Sequence, residues 1–392
     1  MEIIMKIIVT GDVCFKAIYN KIDREFSNSV LKEIKPILEG ADYTIMNLET
    51  PLLKSASCKP ITKSGPNIFG IEKNIEFLLS ADCDCVTLAN NHIGDYGERG
   101  VCETLELLSE NKISYIGAGR NTEEAYKAKR IEIDGITVSI ISVCENEFGG
   151  AEDEKSGTAV YDIGLLSKQL LKEKTLSDFV VIIFHGGNEF NPFPSPGAVN
   201  RYHLFCDLGA DAVVAMHPHC PQGYEYYKGK PIAYSLGNLY FYSTSERKDN
   251  SSWYYGYMAE LEFNKSKQIK LNAIPYRYNK VCSLISVLTG ERKDKFSEYL
   301  NQLSKPIKTG EIKALFNSWC MMREGYTNGL SSFDKKYWTG MQNQELYNIK
   351  NLLNCESHRE LAAQSLKLMC DKKTEEAQKY TEYILKMSEI NI

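Results

Sequence analysis

The chain has 392 residues, with 43% apolar and 25% charged side chains and a formal net charge of −5, which leaves room for two or three domains and a large core. The acidic balance speaks against a nucleic-acid binder, which carries a basic excess, and no apolar run approaches the roughly 18 residues of a membrane helix. The twelve cysteines stand singly apart from Cys83 and Cys85, with no CxxC pair, so they read as small core residues rather than as disulfides or a zinc knuckle.

The N-terminal run has no basic leader, and Lys6 interrupts its apolar stretch. It therefore reads as a first core strand over 6–10 rather than a signal peptide, and a cytoplasmic address is expected. Strand and helix signals then alternate to about residue 240. The pattern predicts a helix over 30–38, a strand over 43–46, a helix over 71–80, a strand over 85–89 and a helix over 100–110. Asp134-Gly135 between 131–133 and 136–143 marks a hairpin. Helix 163–172, strand 179–184, helix 199–208 and strands 212–215 and 232–235 follow, with a turn at Lys228-Gly229-Lys230. A last hairpin pairs 257–263 with 269–274. Past about 283, helical periods dominate. Ser357-His358-Arg359-Glu360 has the form of a capping box for a helix reaching Cys370, and 371–387 reads as one more helix. Two regions result, 1–282 and a helical 283–392 that packs on the first.

Chemistry concentrates at the strand ends. Of six histidines, His92, His185, His217 and His219 sit in polar clusters directly after strand-like runs, and Asp12 and Glu49 sit the same way. Apolar strand followed by a polar turn bearing imidazole or carboxylate is how an α/β protein builds a metal site. A two-metal hydrolase needs ligands from several loops and one bridging carboxylate. Asp12, Glu49, Asn91, His185, His217 and His219 are the candidates. His92, beside Asn91, is left over as an imidazole able to protonate a leaving group.

Seven ordered stretches make a resemblance specific. They are Gly11-Asp12-Val13, Asn47-Leu48-Glu49-Thr50-Pro51, Leu88-Ala89-Asn90-Asn91-His92 with Asp95-Tyr96-Gly97, His185-Gly186-Gly187-Asn188-Glu189, Gly209-Ala210-Asp211, His217-Pro218-His219 and Tyr234-Ser235-Leu236-Gly237-Asn238. Over residues 5–243 the chain resembles the capsule-synthesis CapA family, named for poly-γ-glutamate capsule biosynthesis and related to calcineurin-like metallophosphatases. The resemblance implies an α/β fold, a four-layer α/β/β/α metallophosphatase-like sandwich with the metal centre on loops at one edge of its sheets. It implies one or two divalent ions (Mn, Fe or Zn), with Asp12 and His219 on the first, Asn91, His185 and His217 on the second, and Glu49 bridging. It gives His92 the acid role with Asp95 as its partner. Glu189 becomes a further ligand or base, and Asn47, Asn90, Asn188 and Asn238 become polar lining. Metallophosphatases usually begin Asp-x-His, whereas Cys14 holds the third position here. It is either a soft ligand or a packing residue.

Other polar residues have simpler readings. His203 is expected at a surface or between regions, His358 in a first helical turn, and Asp42 and Asp211 in turns. Arg201 either meets an anionic substrate or stands exposed on its helix. The aromatics from Tyr240 to Tyr257 either wall a polymer groove or pack between regions. The expected function is a metal-dependent hydrolase of phosphoester type acting on an anionic small molecule or polymer. The alternatives are amide chemistry on poly-γ-glutamate or a related polymer, and a noncatalytic assembly protein that docks a partner through its C-terminal helices.

Overall fold

Two β-sheets stacked against each other position everything that follows; the computed structural model describes residues 4–54, 58–323 and 344–392. The first sheet runs Ile285–Val287, Ile269–Tyr278, Tyr255–Asn264, Ile4–Cys14, Tyr43–Leu48, Cys85–Thr87, Ser114–Ile116 from edge to edge. Asn238–Phe241 pairs in parallel with the end of Ile4–Cys14. The second sheet runs Tyr224–Tyr227, Lys230–Ala233, Ala212–Met216, Phe179–His185, Ile136–Cys144, Lys129–Ile133. The sheets meet where Phe179 and Phe263 pack edge to face at 5.1 Å and the Leu271 amide donates to the Tyr226 hydroxyl at 2.9 Å. Helices Arg24–Leu31, Ile75–Ser80 and Gly97–Glu110 flank the first sheet, and Ile163–Lys174 and Pro196–Leu208 flank the second. The fold is thus the four-layer α/β/β/α sandwich with a helical C-terminal region.

The burial pattern explains the layering. Every residue of Phe179–His185 and Ala212–Met216 is buried, as central parallel strands covered by helices on one face and by the other sheet on the opposite face must be. Parallel pairing also brings carboxyl ends to one edge. Asp12 stands opposite Asn47 and Asn238 in the first sheet, and His185 stands opposite Cys144 and Met216 in the second.

Several elements differ from expectation for identifiable reasons. The helix expected over 30–38 is two pieces, Arg24–Leu31 and Lys35–Leu38; Pro36, which lacks an amide donor, starts the second. The Asp134-Gly135 hairpin forms with both residues at positive φ (53° and 74°), the pattern of a type I′ turn. The capping box at Ser357 does not form. That helix begins at Glu356 after Cys355, which makes no side-chain cap. Glu360 instead accepts from the Ser195 hydroxyl at 2.5 Å and the Gly197 amide at 2.7 Å, satisfying the start of Pro196–Leu208. Residues 371–387 form Thr374–Ala377, a 3₁₀ turn and Thr381–Met387 rather than one helix. All twelve cysteines are free thiols, ten of them buried. Among the described residues no helix is long and apolar enough to cross a membrane.

Candidate metal centre

The strand Ile4–Cys14 shifts register between Val9 and Asp12, and such a bulge re-aims the side chains beyond it. Gly11 makes the shift possible: a Cβ there would lie 1.8 Å from the Gly237 carbonyl oxygen. Asp12 consequently faces the opposite sheet, fully buried. Its Oδ1 accepts from Asn47 Nδ2 at 2.7 Å and its Oδ2 from the His217 amide at 3.3 Å. His219 Nδ1 lies 3.3 Å from Oδ2, and His185 Nδ1 lies 3.7 Å from Oδ1.

The six proposed ligands come together at this edge. Asn91 Oδ1 and His217 Nδ1 each stand 3.1 Å from His185 Nε2. Ligands held about 2.1 Å from one ion stand about 3.0 to 3.4 Å apart for octahedral and tetrahedral arrangements, so each of these two pairs has the spacing of neighbouring ligands on one ion. Asp12, Glu49 and His185 offer ligand atoms all within 4.8 Å of one another. His219 Nε2 lies 3.7 Å from Glu49 Oε1. Glu49 is fully buried, and neither of its carboxylate oxygens has a hydrogen-bond partner. A buried carboxylate left bare costs free energy unless something cationic joins it, so the donor set fits divalent metal.

Electrostatics tell the same story. Burial, reinforced by Asp12, pushes the Glu49 carboxyl well above its ordinary pKa. His185 is held well below the imidazole range by burial and by its histidine neighbours, so it is neutral and keeps a lone pair to share. Burial opposes a charged His219, but Glu49 and Asp12 outweigh it and raise the ring to about 9. The pair His217 and His219 also sits at positive φ, 105° and 57°, where non-glycine residues are strained and where functional turns are found.

His92 stands beside this group and is 8% exposed. Its Nδ1 lies 2.8 Å from Asp95 Oδ2. Lys63, unremarked in the sequence, is buried beside both, 2.6 Å from Asp95 Oδ1 and 3.2 Å from His92 Nδ1. Burial lowers the His92 pKa, with Asp95 opposing and Lys63 assisting.

The residues expected as polar lining divide. Asn47 bridges Asp12 and the ring of His185. Asn90 accepts from the His92 and Ile93 amides and donates to the Leu48 carbonyl. Asn238 meets His219 Nδ1 at 2.9 Å and donates to the His219 and Trp253 carbonyls. These three are engaged in holding loops and ligands, which leaves little of them for a substrate. Asn188 donates to the Ser357 carbonyl, and its Oδ1 is buried without a partner. Glu189 is exposed at the rim; desolvation of its carboxyl works upward, but His219, His217 and His92 draw its pKa below the ordinary value.

Arg201 is neither exposed nor turned to a substrate. Its guanidinium is ion-paired with Glu145 at 2.7 Å and lies over Tyr161 and Phe184. Glu145 also accepts from the Gly187 amide and so braces the loop after His185. Burial would raise its pKa, but Arg201 brings it down to about 2. Glu147 Oε1 lies 3.7 Å from His217 Nε2. Both glutamates directly follow the strand Ile136–Cys144, the same signal that singled out Asp12 and Glu49. Cys14 belongs to the hydrophobic core, and burial followed by Glu49 pushes its thiol well up, so it packs as a neutral thiol. His203 pairs with Glu225 and stacks on Tyr227. Asp42 and Asp211 accept from the Lys6 and Val180 amides, and His358 meets Asn351.

Comparison with known proteins adds to this geometry. The model of a family described as bacterial capsule synthesis protein PGA_cap matches residues 6–243. The capsule biosynthesis protein CapA of Bacillus anthracis is 30% identical over 242 residues, covering 59% of this chain and 59% of its own. The PGA biosynthesis protein CapA of Bacillus subtilis (strain 168) is 26% identical over 235 residues, covering 59% and 62%. The chain thus spans about three-fifths of the length of these curated relatives. Among solved structures, a phosphatase from Mycoplasma pneumoniae aligns with a TM-score of 0.46 and 15% identity, over 72% of this chain and 97% of that one.

Proposed function

The chain belongs to the bacterial capsule synthesis protein family, and from that premise we propose that it is a metal-dependent hydrolase of phosphoester-type bonds in an anionic substrate. The observation that carries this reading is the convergence of Asn91, His185 and His217 donors at 3.1 Å beside a buried, unpartnered Glu49. Asp12, Glu49, Asn91, His185, His217 and His219 would hold one or two ions of Mn, Fe or Zn. Such ions, when bound, polarise phosphoryl oxygens and acidify water. Asn47 and Asn238 orient Asp12 and His219. In the protonated ring, His92 would keep its Nδ1–H hydrogen-bonded to Asp95 and pass its Nε2 proton to the leaving oxygen, ending as a neutral imidazole. The names of the Bacillus relatives support a role for this chemistry in capsule or poly-glutamate formation.

Elemental analysis of protein purified without chelator, paired with assays on 4-nitrophenyl phosphate and on a γ-glutamyl peptide, tests the reading. At least one Mn, Fe or Zn per chain and chelator-sensitive phosphate release are expected. Cleavage of the peptide alone would move the reaction to amide chemistry. Less than one metal per chain, with no turnover under added Mn²⁺ or Zn²⁺, would leave a noncatalytic assembly protein.

A further inference from the structure

We propose that Arg247 is the specificity residue that grips an anionic group of the substrate at the mouth of the site. Phe241, Trp253 and Phe190 surround the ring of His219, with centroids at 4.9, 5.2 and 6.2 Å. The Arg247 guanidinium lies over two of these same rings, 4.3 Å from the Trp253 centroid and 4.9 Å from that of Phe190. Its Nε donates to the Ser243 hydroxyl at 2.9 Å. Stacking and that bond fix the plane of the fork while leaving its two terminal amino groups without an acceptor among the described residues. A planar guanidinium prepared in this way matches two oxygens of a carboxylate or phosphate.

Two other ring-stacked arginines look different. Arg201 and Arg277 also stack on aromatic rings, and each carries a carboxylate, Glu145 at 2.7 Å and Asp249 at 2.5 Å. Arg247 has no such partner among the described residues; Glu189 acts on it only from beyond ion-pair distance. It is half-buried, so its charge is incompletely hydrated and an incoming anion meets less screening. Residue 247 also lies beyond the matched span 6–243.

The inference rests on the hydrolase reading for its substrate, but its test does not need turnover. Metal-loaded full-length protein is titrated calorimetrically with inorganic phosphate and with glutarate, alongside Arg247→Ala and Arg247→Lys. Loss of charge-assisted hydrogen bonds predicts a ten- to hundredfold weaker Kd for at least one anion in Arg247→Ala, with metal content and melting temperature unchanged. Arg247→Lys recovers part of the affinity, because it restores the charge but not the fork. With 4-nitrophenyl phosphate, the loss falls on KM more than on kcat. Selective loss of phosphate or of glutarate binding identifies the anion. The proposal is overturned if Arg247→Ala binds both anions within twofold of wild type, or if wild type binds neither at millimolar concentration. Absence of metal or turnover in the wild type would instead overturn the hydrolase reading, and the anion titrations would still judge Arg247.

Discussion

Replacing Glu49 with methionine should stabilise the metal-stripped protein while removing its response to metal. Glu49 is fully buried with both oxygens bare, and its nearest imidazole nitrogen, His219 Nε2, is 3.7 Å away, too far for a hydrogen bond. An orphaned buried polar group costs about 1–3 kcal/mol, and an apolar residue of the same shape avoids that cost. Unfolding entropy near 2.1 cal/mol/K per residue gives about 0.8 kcal/mol/K for a chain of this length. Stripped Glu49→Met should therefore melt about 1–4 °C above stripped wild type. Divalent ion at about a hundred times its Kd adds about 2.7 kcal/mol to a protein that binds it, or roughly 3 °C here. Wild type should show that shift and the variant should not. Differential scanning fluorimetry of chelator-treated protein, with and without Mn²⁺ or Zn²⁺, measures both. A stripped variant that melts several degrees below wild type would refute the reasoning, because Glu49 would then be satisfied inside the protein.

Other perturbations separate support from chemistry. His92→Ala should keep its metal, read by elemental analysis, and lose about 10²–10⁴ in kcat; full activity would remove the acid role. Lys63→Met should destabilise by about 3–5 kcal/mol in urea melts, because it leaves Asp95 buried without its cation. Glu145→Gln should cost stability in a pH-dependent way. The folded carboxyl titrates at about 2 against an ordinary 4.5, so its contribution is complete above about pH 5 and is lost as pH falls toward 2. A shift of that size corresponds to about 3 kcal/mol. The gap between wild type and Glu145→Gln in urea should close over that window; a gap independent of pH would contradict the Arg201 pairing.

The strand ends were legible because central parallel strands are continuous apolar runs. Any polar cluster closing such a run lands on the sheet edge, and Asp12, His185 and His217 all follow that rule. Glu145 and Glu147 obey it too, after Ile136–Cys144, but carry no histidine to draw notice. Long-range pairing was not legible. The carboxylate that holds Arg201 lies 56 residues away, and nothing in the loop around Lys63 announces a buried cation beside Asp95. The same ambiguity affects the asparagines, since substrate lining and loop bracing use the same side chain. Only coordinates reveal that Asn90 braces its own turn and ties it to Leu48, and that Asn238 holds the turn carrying His219.

The backbone at His217 and His219 shows what these commitments achieve. Both residues sit at positive φ, at a cost of about 1–3 kcal/mol each for non-glycine residues. Such strain persists only where surrounding contacts determine it more strongly than local preference does. Here Asp12 accepts the His217 amide, Asn238 holds both the ring and the carbonyl of His219, and Pro218 receives the Phe190 amide. Glycine at either position would relieve the strain and lose the imidazole. The fold keeps the histidines and supplies the bracing from two other strands, an arrangement in keeping with the metal-ligand role proposed for these imidazoles.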